Sequence, residues 1–96
     1  MIEIQESARA ILDHYGQQKQ ELQAVQELSE LILLLAARPD QRKDDYKQHV
    51  TEEIADSILM IEQIRLANDI PVEDVLKTLD KKIERQFGRI EKEAKA

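Results

Sequence analysis

Apolar side chains recur at three- and four-residue intervals along nearly the whole chain, the spacing that places them on one face of a helix. Ile4, Ala8, Ile11, Leu12 and Tyr15 predict a first helix from about Ile2 to Tyr15. Gly16 is its expected C-terminal cap, because glycine takes positive φ without a steric penalty. Leu22, Val25, Leu28, Leu31, Ile32 and Leu35 predict a second helix over Gln17 to Ala37. Pro39 then opens a polar stretch through Asp45, the main loop, since proline disfavours helix at Arg38 and cannot continue the hydrogen-bond ladder. A third helix is expected from near Val50, with Thr51 as a cap, through Ile54, Ile58, Leu59, Ile61, Ile64 and Ala67. Asn68-Asp69-Ile70-Pro71 breaks it. Pro71 suits the first turn of a fourth helix, where Glu73 and Asp74 favour the dipole. Val72, Val75, Leu76, Leu79, Ile83, Phe87 and Ile90 give that helix an apolar face, and a charged tail from Glu91 to Ala96 follows. The expected fold is one all-α domain over residues 1–96, a four-helix-bundle-like protomer.

Two segments are more apolar than a simple bundle needs, Leu31-Ile32-Leu33-Leu34-Leu35 and Ile58-Leu59-Met60-Ile61. A helix apolar on all sides must be covered on all sides. In a short chain this predicts a homo-oligomer, a homodimer or homotetramer; the competing reading places both helices at the centre of a monomer. Composition agrees with helices, because two glycines and two prolines leave little punctuation for the turns of an all-β fold. Aromatics are only 3% of the chain, so the core must be aliphatic.

Against this apolar background stand two acidic pairs, Glu27-Leu28-Ser29-Glu30 and Glu53-Ile54-Ala55-Asp56. Residues three apart are neighbours on a helix surface, so each pair projects two carboxylates to one side. Antiparallel packing of helices two and three can set the pairs face to face. Like charges held where water is scarce need a counter-ion, and magnesium, a hard cation with oxygen ligands, is the natural one. The bland alternative is a pair of solvated acidic faces, common in a chain with 20 Asp and Glu against 14 Lys and Arg. That balance, net −6, also lacks the basic stripe of a nucleic-acid binder, so no nucleic-acid partner is expected. No cysteine is available for disulfides or thiolate metal sites. The longest apolar run, Leu31 to Ala37, is far shorter than a membrane span, and no signal-like leader is evident. A cytoplasmic protein without membrane association is expected. His14 and His49 lack a glutamate three residues earlier, which argues against a di-iron bundle. No glycine-rich phosphate loop or Ser/His/Asp arrangement is present, and Lys43, Asp44, Asp45 and Lys47 read as a solvated connection more readily than as a lid over substrate.

The order of these pieces resembles the MazG-type all-α nucleoside triphosphate pyrophosphohydrolases, whose signature is E-x-x-E, a variable gap, then E-x-x-D. Glu27-x-x-Glu30 is followed after 22 residues by Glu53-x-x-Asp56, and the likeness extends over roughly Gln20 to Arg89. The resemblance implies Glu27, Glu30, Glu53 and Asp56 as catalytic metal ligands, with magnesium, or manganese in its place, as cofactor. It implies hydrolysis of a nucleoside triphosphate to a monophosphate and pyrophosphate, serving to clear non-canonical or surplus nucleotides. Leu79-Asp80-Lys81-Lys82-Ile83-Glu84-Arg85 resembles the family's phosphate-binding segment. Lys82 and Arg85 match its lysine and arginine, while Asp80 stands where asparagine is usual. The alternative from a different class is a non-catalytic helical interaction or nucleotide-binding module. Within the superfamily, a dUTP, dCTP or phosphoribosyl-ATP hydrolase remains open.

Overall fold

The computed structural model describes residues 3–96, so the expected start of the first helix at Ile2 lies outside the described residues. The described chain is four α-helices and one short 3₁₀ turn: α1 (Ile4–Tyr15), α2 (Gln17–Ala36), the turn at Pro39–Gln41, α3 (Tyr46–Ala67) and α4 (Val72–Lys95). No strand occurs among the described residues. The all-α expectation holds.

Gly16 separates α1 from α2 with a single residue. Its N–H donates to the Leu12 carbonyl at 2.7 Å, closing α1, and its own carbonyl accepts from Gln20 N–H at 3.1 Å, opening α2. The geometry, φ 90° and ψ 156°, lies in a region essentially reserved for glycine. A Cβ there would meet nothing within 4 Å, so the constraint is the backbone alone. Gly16→Ala is therefore expected to lower unfolding free energy by about 1–3 kcal/mol, read from the urea midpoint.

The main packing is α2 against α3, with α1 laid chiefly along α3. Gln20 meets Gln63 and, ten residues on, Glu30 meets Glu53, so ascent along α2 matches descent along α3 and the pair is antiparallel. The apolar core is thin. Ala8, Leu12 and Leu66 form one buried cluster, flanked by half-buried Leu59 and Ala67, with Ala24 and Met60 buried elsewhere. The most enclosed large side chain is polar: Gln63 is 2% exposed, accepts from Gln20 Nε2 at 2.8 Å and donates to the Leu59 carbonyl at 3.3 Å. Buried amides are tolerated when their bonds are made and costly when one partner goes. Gln63→Leu is expected to destabilise by about 1–3 kcal/mol, and Gln20→Leu added to it to recover most of that loss, measured by denaturant unfolding.

Two boundaries differ from the periodicity. Helix α3 starts at Tyr46 rather than Val50, because its first turn is held by polar contacts that carry no apolar signal. Arg42 stacks over the Tyr46 ring at 4.5 Å and donates through Nε to the Ala37 carbonyl at 3.1 Å, tying the end of α2 to the start of α3. Asp45 Oδ2 lies 2.9 Å from His49 Nε2. Thr51 is thus inside the helix rather than a cap, its hydroxyl donating to the Lys47 carbonyl at 2.8 Å. At the other end, the charged tail is helical to Lys95, which reaches Glu91 at 3.2 Å; lysine and glutamate are good helix formers even without an apolar face.

The fourth helix departs most from the expected bundle. Arg65 fixes the corner before it, donating to the Ile70 carbonyl at 2.7 Å and pairing with Glu62. Beyond that corner no residue of α4 is buried, and the helix packs along none of the other three. The Cα radius of gyration is 16.9 Å, against about 12–13 Å for a compact chain of this length. Three helices form the body, and the fourth stands off it. Helical periodicity says which face of α4 is apolar but not what covers it.

Candidate metal centre

Glu27 and Glu30 lie one turn apart on α2, and Glu53 comes from the facing turn of α3. One carboxylate oxygen from each falls within 4.8 Å of the others. All three side chains belong to half-buried residues. The flanking buried residues, Ala24 on α2 and Ser57 on α3, are small.

Glu27 Oε1 accepts a hydrogen bond from Gln23 Nε2 at 2.8 Å. Glu53 Oε2 is shielded from solvent and has no hydrogen-bond partner within the protein, and the same is true of the Ser57 hydroxyl one turn further along α3. The electrostatics match this crowding. Loss of water pushes the Glu27 carboxyl above its ordinary value; the charges of Glu30 and Asp56 add to the rise, and the Gln23 bond opposes it. Glu53 is raised for the same first reason, then by Glu30, Asp56 and Glu27 in turn. Both glutamates thus sit where a negative charge is disfavoured without a neighbouring cation.

Asp56 contributes charge to the group but is exposed and lies outside the three-oxygen cluster. It flanks the centre rather than closing it. Lys82 and Arg85 are exposed on α4, and neither forms an ion pair with any acid of the cluster among the described residues. Within one chain the structure therefore joins Glu27, Glu30 and Glu53, sets Asp56 beside them, and leaves Lys82 and Arg85 apart. Lys43, Asp44 and Asp45 of the connecting loop and Lys47 in the first turn of α3 are exposed, and the loop makes its contacts with the ends of α2 and α3.

Two neighbours of the site were not singled out by their residue types, Gln23 and Ser57. Both stand four residues from a cluster glutamate on the same helix, a spacing from which their proximity can be read. The donor set suits a hard divalent cation: oxygen only, anionic, with a buried carboxylate oxygen lacking any partner. No described helix is long and apolar enough to cross a membrane. No family model, curated protein or solved structure matches this chain.

Proposed function

We propose that the protein is a magnesium-dependent nucleoside triphosphate pyrophosphohydrolase, releasing pyrophosphate and a nucleoside monophosphate, and that it works as a homo-oligomer. The observation that carries this reading is the convergence of Glu27, Glu30 and Glu53 from two antiparallel helices, with Glu27 and Glu53 raised by desolvation and mutual repulsion. Such a group is unfavourable alone and favourable around a divalent ion. Magnesium, or manganese, held there with Asp56 at the margin supplies positive charge and Lewis acidity to phosphate oxygens.

The chain's own residues have distinct roles in this proposal. Glu27, Glu30 and Glu53 hold the cation, and Asp56 completes the acidic rim. In place of a ligand role, one glutamate of the set can orient the attacking water as general base. Gln23 fixes the rotamer of Glu27 through their 2.8 Å bond. Lys82 and Arg85 are proposed to neutralise the leaving pyrophosphate, which requires an α4 to approach the acids. Their separation from the cluster within one chain favours a second reading, a helical module that binds metal or nucleotide without turnover.

Pyrophosphate release from a panel of ribo- and deoxyribonucleoside triphosphates, with and without magnesium, separates the two. Magnesium-dependent release is the expected result, and the ranking identifies the preferred base and sugar. Failure to turn over any triphosphate would favour the non-catalytic module.

A further inference from the structure

Two faces of this chain leave the most apolar surface uncovered, ahead of a smaller one on α3 where Ile54, Ile58 and Ile61 are 47–55% exposed. On α4, Leu76, Leu79, Ile83, Phe87 and Ile90 are 44–66% exposed. On α2, Leu22, Val25, Ile32 and Leu33 are 64–71% exposed, on the side turned away from buried Gln20 and Ala24. Each face leaves on the order of 500 Å² of apolar side chain in water, already near the largest patch a typical monomer shows. Together they approach 1,000 Å² per chain, comparable with the roughly 800 Å² each partner contributes to a standard stable interface.

We propose that the occupant of each face is the other face on a second copy: α4 of one chain lies along the outer side of α2 of its partner, and the exchange is reciprocal about a two-fold axis. The two helices are of similar length, 24 and 20 residues, or about 36 and 30 Å. Charge is graded along α4, with Glu73 and Asp74 in its first turn and seven Lys and Arg against four Asp and Glu from Lys77 onward, whereas residues 1–71 carry seven Lys and Arg against fourteen Asp and Glu. Pairing two α4 helices with each other would leave the α2 face in water. Reciprocal docking covers both faces at once and sets the basic length of α4 beside an acidic body.

This pairing rests on the homo-oligomer part of the proposed function and not on its chemistry. Sedimentation equilibrium of the full chain tests it, with Ile83→Lys on α4 and Leu33→Glu on α2. Both positions are exposed in the protomer, so helical circular dichroism is expected to be unchanged in each variant. The wild type is expected to be a dimer and each variant alone a monomer. Mixing the two variants is expected to restore dimers, since one of the two contacts is then unaltered and the other faces glutamate with lysine. A monomeric wild type would overturn both the pairing and the oligomer. A Leu33→Glu chain that remains dimeric, or a mixture that remains monomeric, would overturn the pairing while leaving the oligomer standing.

Discussion

Replacing Glu53 by glutamine is expected to abolish magnesium-dependent pyrophosphate release, by at least ~100-fold, while raising the melting temperature of the metal-free protein. The two effects have one origin. Glu53 is raised by burial and by three neighbouring carboxylates, and its Oε2 is enclosed without a partner. Glutamine keeps the shape, removes the charge, and supplies a donor where the surrounding atoms are carboxylate acceptors. The metal-free fold thereby loses a repulsion, and the metal site loses a ligand. A merely structural glutamate on a solvated face would give neither result, so stability and turnover moving in opposite directions is the diagnostic outcome. Thermal melts in chelator, set beside a pyrophosphate assay on the same preparation, read both.

The second large expectation concerns pH. Glu27 and Glu53 are both shifted above the ordinary glutamate value of 4.5, so in the interval between that value and the raised ones the folded chain binds more protons than the unfolded chain. Unfolding free energy then falls as pH rises through that interval. The penalty is relieved at the acid end and complete above the raised values. In chelator, the contribution of this site is expected to make the protein more stable as pH is lowered through the raised values toward the ordinary glutamate value. To isolate this site from the rest of the chain, the quantity to measure is the difference in melting temperature between wild type and Glu53→Gln at each pH. That difference is expected to be largest at neutral pH and to shrink as pH is lowered toward the ordinary glutamate value. A constant difference would mean that Glu53 carries no strained charge. Saturating magnesium is expected to abolish the trend in the wild type, because a bound cation stabilises the charged form.

Much of the body was legible in the residue pattern, and the reasons for success and failure are specific. The three-and-four spacing of apolar residues marked α1 and α2, and Gly16 marked the junction between them, because only glycine suits its backbone geometry. The E-x-x-E and E-x-x-D pairs were legible as facing groups because i,i+3 geometry and an antiparallel hairpin leave few other arrangements. The first turn of α3 was not legible: Tyr46 to His49 is held by Arg42 stacking and an Asp45–His49 contact, neither of which leaves a hydrophobic period. Gln20 and Gln63 read as surface residues by type, yet they form the most enclosed polar contact between α2 and α3. Asp56 shares the motif with Glu53, but its own turn carries it to the exposed edge of the group. Helix α4 was correctly expected to be amphipathic, and its separation from the body was hidden because amphipathicity is satisfied equally by the same chain or another one.

The central claim is that Glu27, Glu30 and Glu53 form a divalent-cation site, and a magnesium titration followed by thermal melting tests it most directly. Ligand binding to the folded state alone adds about 2.7 kcal/mol at a hundredfold excess over Kd, which for a chain of this size raises Tm by roughly 10–20 °C. The wild type is expected to show a saturable rise of that order with magnesium or manganese, and Glu53→Gln to show none while starting from a higher metal-free Tm. Equal melting temperatures for both proteins at every magnesium concentration would mean that the three carboxylates are a solvated acidic face, and the proposed chemistry would fall with the site.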